Sequence, residues 1–173
     1  RRLHDLRIGC TADRSGSIYF VGGRISEALA EYLFTHMQVI RPKTTLISTN
    51  SSSWPQHVMN MCAGDVLVIF DIRRYEQEMA TLAEVAKANG VIIILMTDVW
   101  GSPVARHAPH TFRVRIEAPS AWDSSVVTLF VVEALIEAVQ NATWDKTRER
   151  MNSLEDLFEL SRLFRRPNRQ KLE

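Results

Sequence analysis

The feature that most constrains this chain is Val66-Leu67-Val68-Ile69-Phe70, an apolar and largely β-branched run held between Asp65 and Asp71. A strand with one wet face alternates polar and apolar residues; an uninterrupted run is a strand covered on both faces. Covering both faces takes helices on either side of a sheet, supplied as crossovers between parallel strands. The run breaks abruptly into Asp71-Ile72-Arg73-Arg74-Tyr75-Glu76, just ahead of a segment with helical periodicity. Ligands of open α/β sheets sit outside the carboxyl ends of the strands. Two adjacent arginines at such a place point to an anion-recognising loop.

The remaining sequence supplies the crossovers. Residues 17–21 read as a buried strand stopped by Gly22-Gly23, and from Ser26 the positions Ala28, Leu29, Tyr32, Leu33 and Met37 recur at helical spacing. Residues 44–47, just after Pro42, form a short second strand; the polar run Ser48-Thr49-Asn50-Ser51-Ser52-Ser53 has turn chemistry and leads into a short helix through Val58 and Met61. After the central strand, Met79, Leu82, Val85 and Ala86 share a helix face over residues 75–89, with Gly90 as its stop. Residues 91–96 are a fourth strand, Ser102-Pro103 opens a short helix, and residues 111–116 alternate as an edge strand does. Two helices close the pattern, over residues 124–142 and 144–164, the second with Met151, Leu154 and Phe158 on one line and Leu157, Leu160 and Phe164 on another. So wide an apolar face suggests subunit contact, or a helix folded back on its own sheet.

The pattern predicts an α/β fold: a three-layer α-β-α sandwich around a five-stranded parallel sheet in the flavodoxin-like order 2-1-3-4-5. Its switch point falls between strands one and three, where the loops at residues 22–26 and 71–74 converge beside the serine run. A chain of 173 residues with a formal net charge of +1 suits one domain with a substantial core, with no overall electrostatic drive toward nucleic acid or membrane. The longest apolar run, residues 91–96, is far too short to cross a bilayer. Cys10 and Cys62 form no Cys-x-x-Cys pair and read as free thiols of a cytoplasmic protein. Histidines 4, 36, 57, 107 and 110 make no metal set, and neither a Walker loop nor a Gly-x-Ser-x-Gly elbow is present, so no cofactor is expected.

Four pieces of sequence carry a family resemblance: Ile18-Tyr19-Phe20-Val21-Gly22-x-Arg24-x-Ser26, the Gly64-Asp65 lead-in to strand three, Ala86-x-x-x-Gly90-Val91-Ile92, and Thr97-Asp98-x-x-x-Ser102-Pro103-Val104-Ala105. Over residues 15–142 the chain resembles the sugar isomerase (SIS) domain, a phosphosugar-binding module. Within that family it looks most like the effector domain of RpiR-type bacterial transcriptional regulators. The resemblance implies a small anionic sugar-derived effector, a homodimer or higher homo-oligomer, and DNA contacted through an N-terminal helix-turn-helix domain outside this chain. Residues 1–14, which begin with Arg1 rather than Met, fit a linker or the end of an upstream helix; residues 143–173 form a C-terminal helix and basic tail. The family's Ser-x-Ser-Gly-x-Thr loop, which cradles phosphate, corresponds here to Asp71-x-Arg73-Arg74-x-Glu76, and the second glycine of its Gly-x-Gly-x-Ser is Arg24.

The candidate ligand-binding residues are therefore Gly22, Arg24, Ser26, Asn50, Ser51, Ser52, Asp71, Arg73 and Arg74. Guanidinium forks recognise carboxylate or phosphate bidentately; the bland alternative is that Asp71 pairs with one arginine while another faces solvent. Ser26 can cap the helix that follows it, and the serine run can be an ordinary capping loop. Trp100 and Trp122 lie near the same edge and can close over a ligand or pack elsewhere. The expected function is ligand sensing and dimerisation for a transcriptional regulator. Its rivals are a sugar-phosphate isomerase on the same fold, with Glu27, Glu76 and His57 as available bases, and a dimerisation module that has lost its ligand.

Overall fold

The computed structural model describes residues 16–162. Five parallel strands, β1 (Ile18–Gly22), β2 (Thr44–Leu46), β3 (Val66–Phe70), β4 (Ile92–Asp98) and β5 (His110–Val114), form one sheet in the order β2-β1-β3-β4-β5. The helices are α1 (Glu27–Ile40), α2 (Trp54–Asn60), α3 (Gln77–Ala88), α4 (Val126–Ala142) and α5 (Trp144–Ser161). The α/β sandwich and strand order are those the sequence predicts.

Strand alternation divides the core into two layers. Tyr19, Val21, Leu67, Ile69, Ile93 and Leu95 face one way, onto Trp54 of α2 and Met79, Leu82, Ala83 and Ala86 of α3. Phe20, Val68, Phe70 and Met96 face the other, onto Leu29, Leu33 and Met37 of α1 and Val132 and Ile136 of α4. The unbroken apolar run of β3 thus has a direct cause: its odd and even residues bury into different layers, and each fully buried side chain contributes about 1.5–3 kcal/mol. Gly90, at φ +83°, turns the chain out of α3 in the left-handed region that glycine adopts without strain.

Asp65 fastens the end of the sheet remote from the loops of interest. Its buried carboxylate accepts from the Ser17 amide at 2.7 Å and from the Cys62 amide at 2.8 Å, tying the starts of β1 and β3 together. Cys62 is not a free thiol, which corrects the sequence expectation; Cys10 lies outside the described residues.

The two C-terminal helices meet at a 100° bend, and no single helix among the described residues is long and apolar enough to cross a membrane. Thr147 is the one buried residue of α5, which reaches α1 through the Arg150 guanidinium bonded to the Gln38 carbonyl at 2.9 Å. Much of the apolar face expected of this helix stays in solvent: Leu157 and Leu160 are exposed, as are Val126 and Phe130 on α4. Phe164 lies outside the described residues.

Candidate functional site

The parallel register sets Gly22 beside Phe70, so the loops that follow β1 and β3 leave the sheet side by side. Between them opens a cleft of about 470 Å³ lined by residues 23–26, 71–74, Glu76 and residues 121–123. That volume suits a small organic ligand.

The β1–α1 loop is held by Ser26. Its hydroxyl donates to the Phe70 carbonyl at 2.8 Å and accepts from the Gly23 amide at 2.9 Å. The side chain makes no capping bond to α1, contrary to the sequence reading; it staples the loop back onto the end of β3. Gly22 is buried and has no room for a side chain, since a Cβ there would lie 2.5 Å from the Ser26 carbonyl oxygen.

The β3–α3 loop is organised by two buried carboxylates. Asp71, 1% exposed, accepts from the Ser102 hydroxyl and, at 3.4 Å, from the Glu76 amide. Among the described residues it pairs with no arginine. Burial raises its pKa above the ordinary carboxylate value; the Ser102 hydroxyl and the Glu76 amide oppose the rise, and the Glu76 and Asp98 charges add to it. Asp98, at the end of β4, accepts from the Arg73 amide at 2.6 Å, the Trp100 amide at 3.1 Å, the Gly101 amide at 3.2 Å and the Tyr75 hydroxyl. Burial and this carboxylate push the Tyr75 phenol well above its ordinary value, so it stays protonated as a donor.

Arg73 sits at φ +68°, and the Arg74 amide donates across it to the Ile72 carbonyl at 2.8 Å, a tight three-residue turn. A non-glycine residue in that region costs about 1–2 kcal/mol, and the bond from its amide to Asp98 holds it there. Its side chain is engaged as well, with Nε 3.4 Å from Asp123 and Cζ over the Trp100 ring at 4.9 Å from the centroid. Arg24 and Arg74 differ from it: among the described residues neither guanidinium has an ion-pair or hydrogen-bond partner, and both line the cleft.

Of the nine candidates, Arg24, Ser26, Asp71, Arg73 and Arg74 converge on this cleft. Gly22 lies just before it, and Asn50, Ser51 and Ser52 do not line it. Asn50 instead caps the turn that precedes α2, its side chain accepting from the Ser52 amide at 3.2 Å and the Ser52 hydroxyl at 2.8 Å. Among the bases considered, Glu76 lines the cleft and Glu27 and His57 do not. Glu76, Trp122 and Asp123 complete the lining. Trp122, placed near the ligand edge by sequence, is 75% exposed at the cleft mouth. The described residues hold no group of three metal-ligating side chains.

Comparison with known proteins agrees with this architecture. A family model for the SIS domain matches residues 13–138, and the chain belongs to that family. The sugar isomerase domain of an RpiR transcription factor from Sphaerobacter thermophilus superposes with a TM-score of 0.76 at 20% identity, covering 88% of this chain and 83% of that one. The Vibrio vulnificus NanR protein complexed with ManNAc-6P gives 0.70 at 14% identity over 84% of this chain and 56% of its own. A phosphoheptose isomerase from Francisella tularensis gives 0.60 at 12% identity over 80% and 82%. At such identities the likeness establishes the fold, which regulators and enzymes share. No curated protein matches the chain by sequence search.

Proposed function

We propose that this SIS domain is the effector-sensing and dimerisation part of an RpiR-type transcriptional regulator, and that its effector is an anionic sugar derivative. The observation that carries the reading is the pair of guanidinium groups, Arg24 and Arg74, without a partner among the described residues, on two loops that meet at the switch point of the sheet. A guanidinium with no internal carboxylate, facing a ligand-sized cleft, is poised for an acidic group brought from outside. The structural likeness to the sugar isomerase domain of an RpiR transcription factor and to the NanR protein complexed with ManNAc-6P supports the assignment.

In this reading the effector binds one arrangement of a dimer better than another and so repositions DNA-binding domains attached outside this chain. Differential affinity is required, because equal affinity for both arrangements shifts nothing. The exposed apolar side chains of α4 and α5, Phe130 and Leu160 among them, are the surface such a dimer would use. A cytoplasmic location follows from the same role.

The alternative is a sugar-phosphate isomerase, and Glu76 in the cleft is the observation that favours it. Aldose–ketose isomerisation needs a base that moves a proton between adjacent carbons. Here one oxygen of that carboxylate already accepts from the Arg24 amide at 3.3 Å. Two measurements separate the readings. Thermal shift with a panel of sugar phosphates and sugar acids should show stabilisation that Arg24→Gln and Arg74→Gln diminish. Incubation with aldose and ketose phosphates should leave them unchanged, and turnover would assign the domain to the enzymes.

A further inference from the structure

The cleft carries carboxylates as well as guanidinium groups, and their pairing is informative. Asp123 takes Arg73, while Asp71 is turned inward to Ser102. Glu76 has no cationic partner among the described residues: its Oε1 takes the Arg24 amide at 3.3 Å, and no bond from those residues reaches its second oxygen.

Five backbone donors of the two loops are also engaged within the protein. The Gly23 amide bonds the Phe70 carbonyl at 3.2 Å and the Ser26 hydroxyl at 2.9 Å. The amides of Arg24, Arg73, Arg74 and Glu76 go to Glu76, Asp98, the Ile72 carbonyl and Asp71 respectively. A phosphate ester is ordinarily held by just such a set of N–H groups ahead of a helix. Here the chain's own carboxylates occupy three of them. A phosphate monoester, with a charge of about −1.5 to −2 near neutral pH, would also face Glu76 at close quarters. A carboxylate brings a single charge and a planar pair of oxygens that a guanidinium fork matches without backbone donors.

We infer that the cleft prefers a sugar acid, a polyhydroxy compound bearing a carboxylate, over the phosphate ester of the same sugar, and that Glu76 sets this preference. Arg24 and Arg74 hold the acid group. Glu76 repels a dianion and uses its unengaged oxygen to accept from a sugar hydroxyl. The inference rests on the sensor reading above, and its test separates the failure of each.

Matched pairs that differ only in the anionic group are titrated calorimetrically into the intact chain: glucuronate against glucose 6-phosphate, galacturonate against galactose 6-phosphate, and mannuronate against mannose 6-phosphate. The expected result is at least one pair in which the acid binds about tenfold or more tighter than the phosphate, roughly 1.4 kcal/mol. Glu76→Gln should close that gap, chiefly by strengthening phosphate binding. Glu76→Thr, which replaces the charge by a hydroxyl that can donate to a phosphate oxygen, should close it further. Arg24→Gln and Arg74→Gln should each weaken the acid. If the phosphate binds as tightly as the acid or tighter in every pair that binds, the preference is refuted while the anionic-sugar reading stands. The same follows if the acid is preferred but both Glu76 variants leave the gap unchanged. If no acid and no phosphate binds at millimolar concentration, the sensor reading itself fails, and this inference with it.

Discussion

Replacing Ser102 by alanine removes one hydroxyl that serves two neighbours. It accepts from the Val104 amide at 3.0 Å, capping the turn that begins at Pro103, and it donates to the buried carboxylate of Asp71. Loss of a cap of this kind costs about 0.5–2 kcal/mol. Loss of a hydrogen bond to an ionised group costs about 1.5–3 kcal/mol. The two share an atom and do not simply add, so Ser102→Ala should destabilise the fold by about 2–4 kcal/mol, a fall of roughly 5–15 °C in Tm for a chain of this size. The penalty should depend on pH. Asp71 has its pKa raised in the folded state above its ordinary value of 3.8, so folding favours its protonated form. Its contribution is most favourable below 3.8 and is lost as pH rises through the folded value. Removing the hydroxyl that steadies the anion raises that value further. The cost of Ser102→Ala should therefore be larger at pH 8 than at pH 4. Urea denaturation of the wild type, Ser102→Ala, Asp71→Asn and the double variant at both pH values measures this directly. A penalty below about 0.5 kcal/mol, an equal penalty at both pH values, or strict additivity with Asp71→Asn would refute the reasoning.

Other sites give equally sharp expectations. Gly22→Ala would set a Cβ 2.5 Å from the Ser26 carbonyl and 2.6 Å from the Glu27 amide, backbone atoms that cannot rotate away. It should cost the upper end of the about 1–3 kcal/mol typical of overpacking, read by chemical denaturation. At position 73 glycine should prove more stable than alanine by about 0.5–1 kcal/mol, because it relieves a positive φ worth about 1–2 kcal/mol against its own entropy cost. Both variants lose the Asp123 pair and the Trp100 stack alike, so a Tm for Ala equal to or above that for Gly would contradict the strain. Phe130→Glu and Leu160→Glu, exposed by 69% and 80%, should leave Tm within a few degrees and convert the dimer of the proposed function to monomer in sedimentation.

The sequence reveals the sheet because the physics behind it is local. A run such as residues 66–70 needs two covers, Gly90 ends a helix by its own backbone freedom, and the crossover rule then limits the strand order. The arginines were legible for the same reason, since they fall at a strand end. Their partners were not. Arg73 meets Asp123, and Asp71 meets Ser102 at a separation of 31 residues, contacts decided by which loops the finished sheet brings together. The hydroxyl of Ser26 illustrates the limit. Its place before α1 suggests a cap, but the end of β3, adjacent only once the strands pair, offers a carbonyl at 2.8 Å. Glu76 carries a weak sequence signal: a carboxylate just ahead of a helix, in the same loop as the paired arginines.

The four bonds to Asp98 have a consequence for how the molecule opens. The amides of Arg73, Trp100 and Gly101 belong to two loops far apart in sequence, yet all three shelter on one carboxylate. Hydrogen exchange at these amides should therefore occur in concert, through one opening that frees both loops, with closely matched protection factors. In Asp98→Asn that common opening should break into separate ones, and the Arg73 amide, holder of the shortest of the three bonds, should lose the most protection.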